Sequence, residues 1–447
     1  MRKLIFTLSF LVINVSNLLG QTQLTVYNHG QALVKEQFSW QLPKGVSEIE
    51  LENVAETLNP STVKLSSEQE LQVLEQNYRY DLVDQDKLMK KYLGSEVSIV
   101  LRNNDKMNGE LLSFDNLVLV IKNKKGIDIV QRGHVGSINC PVPSERLYVR
   151  PTLSWSVHSP KAQQMDLDLS YLTSSIAWKA EYVAVISDKN EEMELSSWIN
   201  LDNKSGKDFD NAKLKLVAGD LNRARPKSRS RYQENAITLT ARSVPVVEER
   251  NFFEYHLYEI AFPVTVHNRE EKQIQWLSPT KIKSRKRYEF QGGGSSLSSL
   301  PVKIQFRNDE KSGTGIPLPA GMVRLFMKDT DGALELIGED HLNHTAKKEW
   351  VSFNVGKAFD VKGKRVVMDR RSKQNKFNEE DIKVTLVNRK DIGVEVDVLQ
   401  SGGYENWQIM NESMPFVKVN ASLIKFTVSV PADSQVVLTY TTHQSMK

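Results

Sequence analysis

Apolar and polar side chains alternate with a period of two along much of this 447-residue chain. Between positions 165 and 171, Asp166, Asp168 and Ser170 separate four apolar residues. Successive side chains of a strand point to opposite faces of a sheet, so this pattern predicts a strand with one face in a core. The pattern recurs over 382–386, 392–398 and 424–430. Such short strands, separated by polar turns, predict a mainly β fold of antiparallel β-sandwich domains with little helix.

The first twenty residues predict a cleavable secretion signal. Two basic residues precede an apolar run over 4–15, and cleavage is expected after Gly20, with Ser16 or Gln21 as alternative boundaries. The alternative is an uncleaved membrane anchor, but a spanning helix needs about 20 apolar residues, and polar residues interrupt this run earlier. No later stretch is apolar over such a length. We therefore expect an exported protein of the periplasm or extracellular space, with no transmembrane segment after cleavage.

Charge and cysteine content narrow the classes of partner. The formal net charge is +4, and it falls to +2 when Arg2 and Lys3 leave with the signal. A nearly balanced surface does not indicate a nucleic-acid or membrane partner. Cys140 is the single cysteine, so the chain forms no internal disulfide. Its simplest interpretation is a buried small residue, and the alternative is a reactive thiol.

The segment 86–142 resembles an Sm/SH3-like small barrel. A short amphipathic stretch, within a helix predicted over 81–93, leads into bent strands, with Gly109 where the second strand must curve and a closing strand after Arg132 and Gly133. Sm-like barrels usually bind RNA, but export argues against that role, so we expect an architectural or protein-binding barrel.

The predicted organisation has four parts. They are a signal peptide (1–20), an N-terminal β domain (21–85), the small barrel (86–142) and a C-terminal β-sandwich region (143–447), which could form two subdomains. A flexible basic loop is expected over 222–250, and a glycine-rich tract over 292–296. The sequence leaves open whether residues 24–74 fold independently or complete the C-terminal sandwich.

Several sequence blocks together resemble one family of exported proteins. They are 73–83 (VLEQNYRYDLV), 175–182 (SIAWKAEY), 203–209 (NKSGKDF), 214–220 (LKLVAGD), 253–258 (FEYHLY), 318–324 (LPAGMVR), 336–340 (LIGED) and 356–361 (GKAFDV). The family is the exported domain-of-unknown-function family four-one-three-nine, which is related to mucoidy-inhibitor-like proteins. The resemblance implies a cell-envelope protein without an established reaction. Mucoidy-inhibitor-like members carry a coiled coil between their β domains, where this chain has the small-barrel segment.

Three aromatic residues are candidate ligand contacts. Trp178 and Tyr182 are four apart and share a face of any strand that contains both, and Trp198 is the third candidate. They could form stacking platforms for a glycan or peptide. The alternative is that they pack in a sandwich core, as large aromatic residues commonly do.

The basic loop is a second candidate contact. Arg223, Arg225 and Arg229, together with Lys227 and Arg231, form a cationic run without an acidic residue. The run could bind a phosphate-bearing glycolipid or an acidic partner, a contact that salt would weaken. The alternative is a solvated linker.

Sequence motifs for metal binding and catalysis provide little support for either function. His341 and His344 beside Glu339 and Asp340 could ligate zinc, but the surroundings resemble a turn, and a solvated loop is expected instead. The sequence lacks the nucleophile-elbow, phosphate-loop, dinucleotide and zinc-protease motifs. We therefore predict no cofactor, no metal and no catalytic residue. The expected function is a non-catalytic envelope scaffold that binds an envelope protein or a glycan, and the alternative is a hydrolase acting on envelope polysaccharide or peptide.

Overall fold

The computed structural model describes residues 20, 22–80, 85–142, 147–187, 191–219, 247–252, 255–292, 294–373, 377–402 and 407–445. Over these residues the protein is mainly β, as the alternation predicts. The helices there are short, and none of them is long and apolar enough to cross a membrane.

The described residues up to position 266 form eighteen strands and the helix α1. They are β1 (Gln23–Tyr27), β2 (Gln31–Leu42), β3 (Gly45–Glu52), β4 (Lys64–Ser66), β5 (Gln72–Arg79), α1 (Gln85–Lys91), β6 (Glu96–Leu101), β7 (Lys106–Phe114), β8 (Val118–Asn123), β9 (Gly126–Gln131), β10 (Val135–Asn139), β11 (Thr152–Ser159), β12 (Gln163–Ser174), β13 (Ile176–Ile186), β14 (Glu192–Asn203), β15 (Phe209–Ala218), β16 (Val247–Phe252), β17 (Tyr255–Ile260) and β18 (Val264–Val266). Short 3-10 turns lie at Pro60–Thr62 and Arg132–His134.

The remaining strands complete the fold. They are β19 (Glu270–Lys283), β20 (Arg285–Phe290), β21 (Ser298–Arg307), β22 (Gly321–Lys328), β23 (Leu334–Leu342), β24 (Trp350–Lys373), β25 (Phe377–Asn388), β26 (Val394–Ser401), β27 (Trp407–Met410), β28 (Phe416–Asn420), β29 (Leu423–Val430) and β30 (Ser434–Ser445).

Two sheets form the main sandwich. Sheet A has the order β16-β17-β15-β1-β2-β12-β4, with β18 beside β15, and sheet D has the order β19-β14-β13-β22-β23. Their inward-facing side chains meet in the largest hydrophobic core, which also receives residues of the three-stranded sheet β3-β11-β5. The outer surfaces of sheets A and D therefore face opposite directions.

The N-terminal strands share these sheets with the region after residue 143. β1 pairs in parallel with β15, with Gln23 opposite Lys213, and β2 pairs with β12. β3 and β5 flank β11 on either side. The segment 24–74 thus contributes strands to the sandwich that residues 152–218 also build, which answers the question that the sequence leaves open.

The segment predicted as a small barrel is an antiparallel sheet with the order β10-β6-β7-β8-β9, preceded by α1 and packed on its own core. A Cβ on Gly109 would lie 2.5 Å from the carbonyl oxygen of Lys122, so only glycine fits where β7 curves over β8. The sequence predicts that the last strand closes a barrel, and this prediction is wrong. Within the described residues no ladder joins β9 to β10, because β10 pairs with β6 after the 3-10 turn and leaves β9 as an edge.

The last sheet has nine strands, in the order β27-β30-β25-β24-β21-β20-β26-β29-β28, and a separate core. Two long strands contribute to both large cores. β21 places Ile304 in the sandwich core and Leu300 in the second core, and β24 does the same with Phe353 and Val361. Continuous strands, and not a linker, therefore join the two cores.

The alternation correctly predicts which side chains face the core at most positions. These include positions 165, 167, 169 and 171, which are all buried. Two positions depart from the predicted strand over 392–398. Ile392 is exposed and precedes β26, because its carbonyl accepts the Asn388 side-chain amide within a turn. Asp397 is buried, and there its carboxylate accepts the Thr427 hydroxyl at 2.9 Å and lies 3.6 Å from Lys425.

Buried asparagines anchor two corresponding turns. The Asn203 amide donates to the carbonyls of Lys207 and His267, and its oxygen accepts from the backbone of Ser205. Gly206 has a φ of +85°, the left-handed conformation that the turn composition predicts. Asn388 repeats this arrangement, because its side-chain amide donates to the carbonyls of Ile392 and of Pro431, which follows β29. Each asparagine thus fastens the end of its strand to a segment that is distant along the chain.

Candidate functional site

Two of the three candidate aromatic residues lie in the sandwich core. Trp178 is 4% exposed and its indole N–H donates to the carbonyl of Val217 at 3.3 Å. Tyr182 is fully buried, and its hydroxyl donates to the carbonyl of Pro319 at 2.7 Å. Burial also raises the pKa of Tyr182 well above its ordinary value. The hypothesis of a single stacking platform therefore needs correction, because neither of these two rings can reach a ligand.

Trp198 lies on the other surface of sheet D. It stands directly opposite Glu181 on β13, whereas its neighbours Ser197 and Ile199 point into the core. The Trp198 side chain is 38% exposed. Glu181 in turn lies beside Met322 on β22, which is 40% exposed. Trp198, Glu181 and Met322 therefore form one row across three neighbouring strands.

A chain of ion pairs crosses this row. Glu181 lies 3.0 Å from Lys179 and 3.3 Å from Arg324, and Arg324 also contacts Glu339 at 3.1 Å. Burial alone would raise the pKa of Glu181, but hydrogen bonds and charges from Lys179 and Arg324 outweigh it and lower that pKa. Glu181 is thus held as a carboxylate between the two exposed apolar side chains.

Further apolar side chains extend the same surface. Val185 on β13 is aligned with Phe326 on β22, and Phe326 with Leu336 on β23, which is 54% exposed. We name this surface the Trp198 face and define it by Trp198, Glu181, Met322, Arg324, Phe326 and Leu336. Exposed apolar side chains grouped on one surface mark interaction sites in proteins, and on this face charged side chains lie between them.

The candidate metal ligands lie in β23 and just after it. His341 and Glu339 stand opposite Met322 and Arg324 and therefore adjoin the Trp198 face, while the Nδ1 atom of His344 accepts the backbone N–H of Ala320 at 3.1 Å. Asp340 accepts two backbone N–H groups. In the part of the chain that the structure describes, no three His, Cys, Asp or Glu side chains are grouped to hold a metal ion.

Two further candidates are the basic loop and Cys140. Arg223, Arg225 and Arg229 lie outside the described residues. Cys140 is half-buried against the core of the small sheet, and burial raises the pKa of its thiol. That direction disfavours the reactive thiolate form.

A second charged cluster lies at the end of the nine-stranded sheet. Arg371 contacts Asp369, Glu379 and Asp381, with both guanidinium NH groups on Asp381 at 2.7 and 2.8 Å. His443 lies 2.9 Å from Glu379. Hydrogen bonds from Arg371 and then Thr441 lower the pKa of Asp381 to about 2. All three carboxylates contact Arg371, so we assign this cluster a structural role.

Acid should remove the stability that the Arg371 cluster provides. The folded-state pKa of Asp381 is depressed, so its contribution is complete above the ordinary value of 3.8 and is lost as the pH falls towards about 2. Thermal unfolding of the wild type and of Arg371→Ala, followed from pH 7 to pH 2, should show a difference that shrinks on acidification. An unchanged difference at pH 2 would contradict this assignment. Arg389→Ala, which loses only one exposed pair with Asp433, is the control.

The chain matches no protein-family model and no curated protein with which it was compared. The relation to exported and mucoidy-inhibitor-like proteins stays a prediction from the sequence blocks. Three of those blocks contain four of the six residues that define the Trp198 face, and Trp198 and Phe326 lie outside the blocks. The block 175–182 contains Glu181, the block 318–324 contains Met322 and Arg324, and the block 336–340 contains Leu336.

Proposed function

We propose that the protein is an exported, non-catalytic scaffold of the cell envelope that binds a protein partner through the Trp198 face. One observation carries the proposal: Trp198 and Met322 stand exposed on either side of the ion-paired Glu181 in the middle of an open sheet. The N-terminal signal pattern supports export, and the sequence blocks support a place in the envelope.

The composition of the face favours a protein over a glycan. Trp, Met and Arg are enriched in the centres of protein interfaces, and truncating such residues often costs the most binding free energy. Val185, Phe326 and Leu336 add aliphatic and aromatic surface beside them. A glycan would instead need a high density of free hydrogen-bonding groups, whereas Glu181, Arg324 and Glu339 are already engaged with one another.

The charge state of Glu181 argues against the hydrolase alternative at this face. A glycosidase needs one carboxyl group whose raised pKa keeps it protonated as the general acid. Lys179 and Arg324 shift the pKa of Glu181 in the opposite direction. The same ion pairs suit a binding surface, because they fix the orientation of a charged group that a partner can recognise.

Site-specific photocrosslinking should test the proposal in intact cells. A photoreactive amino acid in place of Trp198 should yield one discrete protein adduct, which mass spectrometry identifies. With the purified partner, Trp198→Ala should then weaken binding by about thirtyfold or more, the loss of a central interface residue worth roughly 2 kcal/mol. The thermal unfolding of this variant should change little, because Trp198 is partly exposed.

Phe359 offers the matched control. It is an aromatic residue that is 84% exposed on β24, outside the Trp198 face. A photoreactive residue at 359 should not give the same adduct, and Phe359→Ala should leave the affinity unchanged. The proposal fails if residue 198 yields no protein adduct, if it yields a glycan adduct instead, or if Trp198→Ala binds as tightly as the wild type.

A further inference from the structure

A row of lysines crosses the outer surface of sheet A, on the side of the sandwich opposite the Trp198 face. The strand registers align Lys213, Gln23, Lys35, Ser170 and Lys64 on β15, β1, β2, β12 and β4. Every second position of this row is a lysine. Neighbouring strands are about 4.8 Å apart, so consecutive lysines are roughly 10 Å apart along the row.

These three lysines lack the neutralising partners of other cations in the protein. No carboxylate of the described residues lies within ion-pair distance of Lys35, Lys64 or Lys213. Lys215, one position further along the same face of β15, shows the contrast, because it lies 3.7 Å from Glu259. The exposed ends of the three lysines therefore present uncompensated positive charge in a line.

The row runs through a groove of about 230 Å³ between β2, β12 and β4. Lys35 and Lys64 line it together with Gln37, Ser66 and Asp168. One oxygen of Asp168 accepts the Gln37 side-chain amide at 2.7 Å. Asp168 lies opposite Gln37 and Ser66, in the row next to that of the lysines. A carboxylate there would repel a ligand that offers only negative charge, but it would accept hydrogen bonds from hydroxyl groups.

We propose that this groove binds an acidic polysaccharide that carries a carboxylate on every second sugar. A pyranose unit of an extended chain spans roughly one strand spacing, so acidic groups on alternate sugars would meet successive lysines. The hydroxyls of the intervening sugars would meet Asp168, Ser66 and Ser170. The lysines supply charge and the groove supplies the sugar contacts, which together favour a polysaccharide over a simple polyanion.

Hyaluronan oligosaccharides, which carry a carboxylate on alternate sugars, are a suitable probe for the purified full-length mature protein. At low salt, the triple variant Lys35→Gln, Lys64→Gln, Lys213→Gln should bind them at least about tenfold more weakly, since each exposed charge contact contributes modestly. The triple variant Lys311→Gln, Lys347→Gln, Lys418→Gln has the same net charge and alters exposed lysines elsewhere. It should bind as the wild type does.

Inorganic polyphosphate separates the sugar contacts from the charge. Asp168→Asn replaces an acceptor for hydroxyls with an amide donor and removes a charge that repels both anions, so it should strengthen the binding of polyphosphate more than that of hyaluronan. Equal losses in the two triple variants, or a gain for hyaluronan that equals or exceeds the gain for polyphosphate in Asp168→Asn, would overturn the proposal. Because the groove and the Trp198 face lie on opposite sheets, Trp198→Ala should leave hyaluronan binding unchanged, and either proposal can fail alone.

Discussion

Replacing Glu36 with alanine should lower the free energy of unfolding by about 3–5 kcal/mol, because the Lys207 ammonium would stay buried without its partner. Glu36 faces the sandwich core from β2 and is 3% exposed, and its carboxylate pairs directly with the Lys207 ammonium. The Lys207 ammonium also lies 5.8 Å from the centre of the Phe209 ring. The Lys207 side chain is only 10% exposed, so little water can replace the lost pair.

Urea titrations of four variants would measure this effect. Glu36→Ala and Lys207→Ala should each be strongly destabilised, whereas the double variant Glu36→Leu, Lys207→Met should recover much of the loss because it buries no charge. Arg389→Ala breaks an exposed ion pair with Asp433 and should cost less than about 1 kcal/mol. If the two single variants cost no more than Arg389→Ala, the pair is not buried as the structure has it.

The buried pair also shows what the sequence could and could not predict. Glu36 stands between Lys35 and Gln37, and composition alone would place all three on the surface. Strict alternation with Val34 and Phe38, however, puts Glu36 on the core side of β2, and that parity was available from the sequence. Its partner Lys207 lies in a turn 171 positions later, and no local pattern links the two.

The same distinction applies to the Trp198 face. Alternation of Leu195, Ser197 and Ile199 on the inner side predicts that Trp198 points outwards, away from the core that holds Trp178 and Tyr182. Met322 and Arg324 could not be assigned to the face from sequence, because β22 pairs in parallel with β13 across about 140 intervening residues. Local periodicity determines which way a side chain points, and long-range pairing determines what lies beside it.

Domain organisation was the feature most difficult to predict from the sequence. The sequence suggests separate N-terminal and C-terminal β regions because the small-sheet segment interrupts the strand pattern between them. Pairing of β1 with β15 and of β2 with β12 brings the two regions into common sheets. β24 is a single strand of 24 residues that places side chains in two cores. Because the strand is continuous, its sequence does not show where one core ends and the next begins.

Tyr182→Ala should destabilise the protein by about 3–5 kcal/mol, the usual cost of emptying a large aromatic site in a core. Tyr182 is fully buried, and its ring packs edge-to-face against Trp276 with centroids 6.1 Å apart. Trp276 packs in the same way on Tyr258, and Tyr258 on Trp178. Removing one ring from this series leaves a cavity and takes a contact from its neighbour, so Trp178→Ala should cost a similar amount.

Tyr182→Phe distinguishes the packing role from a ligand-stacking role. It keeps the ring and removes only the hydrogen bond to the carbonyl of Pro319, so it should cost about 1 kcal/mol. Because the ring cannot reach solvent, this variant should bind the crosslinked partner as tightly as the wild type, while Trp198→Ala binds weakly at nearly full stability. A reversed result, with Tyr182→Ala stable but deficient in binding, would return Trp178 and Tyr182 to the binding surface. The two measurements therefore divide the three aromatic residues into core and contact by their effects as well as by their positions.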